Sequence, residues 1–320
     1  MKILILRFSS IGDIVLTTPV IRCIKQQVEN VEVHFATKKV FKTILEYNPY
    51  VDKLHLLESD LKPLLADLKA ENFDFIIDLH NNLRTRIIKL NLSVKSYSFK
   101  KLNFEKFLLT TFKINKMPDI HIVDRYLATA KVLNIKNDGK GLDYFVPKKD
   151  EVDIAKFGIQ TKYVGFVLGA KFATKRMPNT KILEVCKQIN EPIVFLGGKE
   201  DKEVGEFLRK ELNRKDVFNA SGKFNLNQSA SLVKQARIII THDTGLMHIA
   251  SAFNKKIISV WGNTVPNLGM YQYVSTENRI IVETKGLSCR PCSKIGYKTC
   301  PKKHFDCMNK IEVNDIIKKL

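Results

Sequence analysis

"KILILRFSSIGDIVLTTPVIRCIKQQVENVEVHFA", residues 2–36, decides the fold. The apolar run Ile3–Leu6 carries no polar alternation and reads as a short strand covered on both faces. It breaks at Ser9, Ser10 and Gly12 and then offers a single carboxylate, Asp13. Thr18-Pro19 reads as an N-cap followed by a first-turn proline, opening a helix over 19–28. A second apolar run follows at 31–36. Strand, helix and strand in that order predict a parallel sheet with helices on its faces.

The alternation continues outward. Strands are expected at 53–57 and 73–79, with helical spacing at 40–47 and 61–71 between them. Residues 82–118 are basic and apolar and are expected to be helical. The stretch 136–162 is polar with Gly and Pro and reads as a linker. Beyond it, strands at 163–169, 192–198, 216–221, 236–241 and 256–262 alternate with helices near 179–189, 201–212, 227–236 and 245–253. An amphipathic helix is expected over 310–320. A chain of 320 residues with 44% apolar composition can build two such cores. The expected class is α/β, with two Rossmann-like parallel-sheet domains, 1–150 and 151–320, facing a cleft. Ligands of open α/β sheets bind at the carboxyl ends of strands, so the chemistry is expected just after them.

The net charge of +20 asks for an anionic partner: nucleic acid, a membrane surface or an acidic substrate. Residues 84–116 concentrate it, with nine Lys/Arg against one acid, Glu105. No helix-turn-helix, zinc-finger or RNA-recognition pattern is present, so no nucleic-acid partner is expected. No secretory signal is recognisable after Met1-Lys2, and no apolar run approaches the roughly 18 residues of a spanning helix. The expected location is the cytoplasm, with peripheral contact to the inner face of the cytoplasmic membrane. A reducing compartment argues against disulfides. Cys23 and Cys186 are isolated and expected to be buried. Cys289, Cys292, Cys300 and Cys307 cluster with a count that suits a structural zinc, although the spacing is not that of a standard ribbon.

Four stretches leave strands with reactive side chains. In "IIITHDTGLMHIASAF" (238–253), Asp243, Thr244 and Gly245 open a helix whose free N–H groups suit a phosphate, with His248 in reach; ordinary capping explains the same residues. "LGAKFATKRMP" (168–178) carries Lys171, Lys175 and Arg176 on a second loop, where cations suit a diphosphate. In "FLGGKED" (195–201), Glu200 could accept from ribose hydroxyls or cap a helix. "DLHNNLRTR" (78–86) gathers His80, Asn81, Arg84 and Arg86 at the fourth strand end.

Together these motifs resemble the ADP-heptose:lipopolysaccharide heptosyltransferases, inverting glycosyltransferases of the GT-B fold. The carriers are Ser9-Ser10-Ile11-Gly12-Asp13, Thr174-Lys175-Arg176-Met177-Pro178, Asp243-Thr244-Gly245-Leu246-Met247-His248, and the set Cys289-Arg290-Pro291-Cys292, Cys300-Pro301 and Cys307-Met308. Met177 stands where tryptophan is common. The resemblance implies a sugar, heptose from ADP-heptose, moved onto a lipid A–core acceptor. It implies Asp13 as general base, and Thr174, Lys175, Glu200, Asp243, Thr244, Gly245 and His248 toward the donor. Ser10, Gly12, His80, Asn81, Arg84, Arg86 and Arg125 are expected toward the acceptor. No cofactor is expected to be required, since one base suffices for inversion and no Asp-x-Asp pair is present to hold a cation on the diphosphate. A nucleotide-sugar epimerase or hydrolase on the same fold, or a basic nucleic-acid-binding protein, are the competing readings.

Overall fold

The computed structural model describes residues 1–320. They divide into two units, Met1–Lys101 with Ile120–Phe145, and Leu102–Asp119 with Val146–Leu320. The chain therefore crosses between units more than once. Two contacts explain why. The buried Arg22 guanidinium binds Asp138, the Gly141 carbonyl (2.8 Å) and Asp143, which keeps 136–145 with the first unit. Leu109 packs on Val265 and Leu268, and the Lys113 ammonium donates to the Pro291 carbonyl at 2.8 Å, which gives 102–119 to the second.

In the first unit, β1 (Lys2–Leu6), β2 (Glu32–Lys38), β3 (Lys53–Leu57), β4 (Phe75–Asp78) and β5 (Ser96–Ser98) form a parallel sheet in the order β3-β2-β1-β4-β5. Ile3, Leu4, Ile5 and Leu6 are wholly buried, as two-sided burial of a central strand requires. The helices are α1 (Ile11–Val15), α2 (Thr18–Gln27), α3 (Leu61–Lys69), α4 (Leu83–Leu92) and, after α5 (Asn103–Phe107) of the second unit, α6 (Ile122–Thr129).

The second unit contains β6 (Val164–Val167), β7 (Ile193–Leu196), β8 (Val217–Asn219), β9 (Ile238–His242), β10 (Lys256–Trp261) and β11 (Arg279–Glu283). They are parallel, in the order β11-β10-β9-β6-β7-β8. Its helices are α7 (Asn179–Lys187), α8 (Lys202–Leu212), α9 (Leu226–Gln235), α10 (Gly245–Ala252), α11 (Asp306–Asn309) and α12 (Val313–Ile317). The two-domain α/β class expected from the alternation is the fold observed.

Four local expectations fail. Within 82–118, expected to be helical, Ser96–Ser98 is the edge strand β5, paired with β4. Residues 40–47 do not form an α-helix; Lys39–Ile44 is a 3-10 turn, because only Ile44 and Leu45 are buried there and Pro49 follows closely. The expected helix over 310–320 shortens to α12, with Ile311 entering the core as coil between it and the preceding α11. Thr18 is not the cap of α2. Thr17 holds that position, while the Thr18 hydroxyl donates to the Val15 carbonyl (2.8 Å) and accepts from the Asp143 amide (2.9 Å).

Each sheet has one switch point, where successive connections leave in opposite directions and open a crevice beyond the strand ends. In the first sheet it lies between β1 and β4, and in the second between β6 and β9. Those four strand ends carry the motifs singled out in the sequence except 195–201, which follows β7.

Candidate active site

Beyond β1, Asp13 is the third residue of α1. One carboxylate oxygen accepts from the Ser10 amide (3.1 Å) and hydroxyl (2.6 Å); the other meets the Arg7 guanidinium at 2.5 Å. Capping and charge pairing thus use the same group, and the side chain remains 20% exposed, within reach of a ligand. Arg7 also donates to the carbonyls of Ser9 (2.9 Å) and Leu79 (2.5 Å). It ties the β1 loop to the β4 loop and fixes where Asp13 points.

The β4 loop is built on Asp78, which is fully buried. Its carboxylate accepts the amides of His80 (3.0 Å) and Asn81 (2.7 Å) and pairs with Lys89 at 2.9 Å. Asn81 adopts a left-handed backbone, φ 49°, and its side chain donates to the Phe99 carbonyl. The His80 ring lies edge-on to Phe8, and the Arg84 guanidinium covers the same ring at 5.3 Å. Burial pushes the His80 imidazole down to about 4, helped by the Arg7 and Lys101 charges. At neutral pH the ring is an uncharged neighbour of Asp13.

Ser10, Gly12, Asp13, His80, Asn81 and Arg84 are therefore gathered at one switch point. Arg86 is exposed on α4. Arg125, on α6, stacks over Phe99 at 4.9 Å and donates to the Lys100 carbonyl at 2.6 Å.

At the second switch point, the Lys175 ammonium meets the Asp243 carboxylate at 2.5 Å, and Thr264 donates to the same oxygen at 3.0 Å. Thr244 caps α10, its hydroxyl accepting from the Met247 amide at 3.4 Å. The amides at the start of α10 and one oriented ammonium thus lie at the same strand ends, the combination that suits a diphosphate.

Thr174 is buried, and its hydroxyl accepts from the Tyr297 amide (2.8 Å) and donates to the Tyr297 carbonyl (3.1 Å). Its role here is to hold the loop. His248 is 2% exposed. Glu200 is exposed in the turn after β7. The buried acid of that turn is Asp201, which accepts the Gly198 amide at 2.8 Å and pairs with Arg176 at 3.1 Å. Burial raises its carboxyl, opposed by that hydrogen bond and by Arg176. Gly169 and Gly197 lie so close that a Cβ at either would sit 2.1 or 2.7 Å from the Asp201 carboxylate.

The chain matches the family described as glycosyltransferase family 9 (heptosyltransferase) over residues 63–303. It belongs to that family. Lipopolysaccharide heptosyltransferase 1 of Campylobacter coli is 27% identical over 99% of this chain and 97% of its own. Lipooligosaccharide heptosyltransferase 2 of Haemophilus influenzae is 28% identical over 83% of this chain and 84% of its own. The structure of E. coli ADP-heptose lps heptosyltransferase II superposes with a TM-score of 0.74 at 19% identity, covering 100% of this chain and 97% of that one.

Three residues of this family 9 chain escaped the sequence reading. Arg7 follows the apolar run Ile3–Leu6 and drew no role, and Asp201 was overshadowed by Glu200. His242 lies one residue past the strand expected at 236–241, and β9 includes it. It is 1% exposed, and its Nε2 accepts the Met177 amide at 3.0 Å, joining the β9 end to the 173–178 loop. Met177 fills the tryptophan position as a core residue, 3% exposed. Burial lowers the His242 imidazole to about 3, and protonation would remove the acceptor for Met177.

The folded-state value therefore lies below the ordinary 6.5. The His242 contribution is complete above about pH 6.5 and is lost as pH falls toward 3, on the order of a few kcal/mol. Thermal midpoints across this range should fall less steeply in His242→Asn, whose amide oxygen can still accept from Met177. Parallel slopes for the two proteins would refute the assignment.

Two clusters offer metal ligands. Cys289, Cys292, Cys300 and Cys307 are free thiols, with Cys289 Sγ 4.0 Å from His304 Nε2. Cys307 is buried in the core of the second unit, where desolvation pushes its thiol up to about 12. His34, His55 and Glu71 of the first unit bring one ligand atom each within 4.8 Å of the others. Those atoms are already paired: the imidazoles with each other at 2.9 Å, and Glu71 with Lys2 and Lys53.

Proposed function

We propose that this chain transfers heptose, with inversion, from ADP-heptose to a lipopolysaccharide core acceptor. The observation that carries the reading is the Asp13 carboxylate, held by Arg7 and Ser10 yet accessible at the β1–β4 switch point. In the proposed step, Asp13 takes the proton of an acceptor hydroxyl as its oxygen attacks the anomeric carbon. The bond from that carbon to the diphosphate oxygen breaks, and ADP leaves with the electron pair. Charge grows on the diphosphate as the sugar becomes oxocarbenium-like. Lys175 and the first amides of α10 are suited to neutralise it. No metal ion is needed in this scheme. The relatives named for ADP-heptose and lipopolysaccharide supply the donor and acceptor of the proposal.

Acceptor binding is assigned to the first unit and donor binding to the second. Cytoplasmic location, with peripheral contact to the membrane that carries the acceptor, belongs to the same proposal; no helix of the chain is long and apolar enough to cross a membrane. A structural zinc on Cys289, Cys292, Cys300 and Cys307 is a separate part of it, decided by metal analysis of the purified chain.

The test pairs thermal shift with product analysis. ADP should stabilise the protein more than UDP, GDP or CDP at equal concentration, by roughly 2.7 kcal/mol at a hundredfold excess over its dissociation constant. ADP-heptose and a core acceptor should then yield ADP and an elongated acceptor. A preference for another nucleotide would discard heptose as the sugar. Sugar released or isomerised without acceptor would favour an epimerase or hydrolase.

A further inference from the structure

Residues 103–116 present a surface that the transfer chemistry does not use. Phe104, Phe107, Phe112 and Ile114 are 68%, 52%, 59% and 48% exposed. The Phe107 and Phe112 rings pack edge to face, 5.6 Å apart, so these two form a pair, with Phe104 and Ile114 exposed on the same short stretch. Contiguous exposed apolar groups of this size mark a contact surface.

The backbone beneath them is anchored. Leu109 is buried against Val265 and Leu268, Met117 packs on the same group, and Lys113 is tied to the Pro291 carbonyl. The rings are thus held outward on a firm support. Lysines alternate with them: Lys106, Lys113 and Lys116 face a single acid in this stretch, Glu105.

We propose that residues 103–116 are an interfacial anchor that seats the chain on an anionic lipid bilayer. The rings enter the boundary between headgroups and acyl chains, and Lys106 and Lys116 meet the lipid phosphates. Large apolar rings interleaved with cations fit that boundary; a soluble anion would use the lysines and leave the rings in water. The first unit repeats the combination on α4, where Leu83, Ile87 and Leu90 are 73%, 36% and 77% exposed beside Arg84 and Arg86. The inference deepens, and in that sense rests on, the reading of a lipid-linked acceptor.

The test is co-sedimentation of the full chain with vesicles of phosphatidylcholine, pure or mixed with phosphatidylglycerol, at low and high salt. The protein should bind the anionic vesicles, and salt should weaken that binding. Phe107→Ser with Phe112→Ser should lower the partition coefficient by about tenfold or more. Its thermal midpoint and its turnover with a delipidated, water-soluble acceptor should be unchanged. Lys106→Gln with Lys116→Gln should lose the preference for anionic lipid. Absence of vesicle binding, or full binding by the double phenylalanine variant, overturns the proposal. Vesicle binding that depends on the rings, in a protein inactive toward every acceptor, would instead remove the transferase reading and leave the anchor standing.

Discussion

Asp13→Asn is expected to lower turnover by about 10²–10⁴-fold, the range a positioned general base contributes. ADP affinity should stay close to that of the parent. The geometry supports this separation. Asparagine matches the shape of the acid and can still accept from Ser10 through its amide oxygen, so α1 keeps its start. Arg7 keeps the Ser9 and Leu79 carbonyls, so the two loops stay joined. What disappears is the charge and the basic lone pair. Single-turnover transfer with saturating ADP-heptose, alongside ADP titration, checks the expectation. Near-normal transfer would remove Asp13 from the role of base; a matching collapse of ADP affinity would mean that the substitution acts through the fold. Arg7→Lys is a useful companion. It keeps a cation but loses the planar fork that serves three oxygens at once, so it should reduce turnover less than Asp13→Asn.

Lys175→Ala should cost about 10²–10³-fold in kcat/KM, comparable to removing one preorganised donor from a developing oxyanion. Unlike Asp13→Asn, it should also weaken ADP binding, because the diphosphate carries negative charge before and after the reaction. The substitution leaves the Asp243 carboxylate with the Thr264 hydroxyl and without the ammonium that faced it. A neighbouring anion would then repel the diphosphate, and this adds to the loss. Lys175→Arg should recover binding better than turnover, since the guanidinium restores charge without the ammonium's position. ADP titration at two ionic strengths, together with initial rates, separates the two effects. Wild-type rates in Lys175→Ala would place the diphosphate elsewhere.

The four residues Ile3–Leu6 and the helical spacing after Pro19 determined the class of fold, because a central parallel strand must be apolar on both faces whatever its neighbours are. The motif Ser9–Asp13 and the stretch Asp243–His248 were legible for a similar reason: loops at strand ends are short, and their reactive residues lie side by side in the chain. Residues 102–119 were not legible in this way. Their place with the second unit depends on Leu109 finding Val265 and on Lys113 finding Pro291, partners more than 150 positions away.

The same limit explains the missed site residues. Arg7 and Leu79, Met177 and His242, and Asp201 with Gly169 are pairs made by strand order, which local periodicity does not encode. Burial then decides chemistry that composition cannot: it holds His242 and His80 neutral and turns His248 and Thr174 inward. The sequence by itself determined the kind of sheet and which loops carry reactive groups, since periodicity and turn chemistry act over a few residues. Only the tertiary structure decided which side chains orient those groups, because desolvation and pairing depend on neighbours that the strand order brings together from distant parts of the chain.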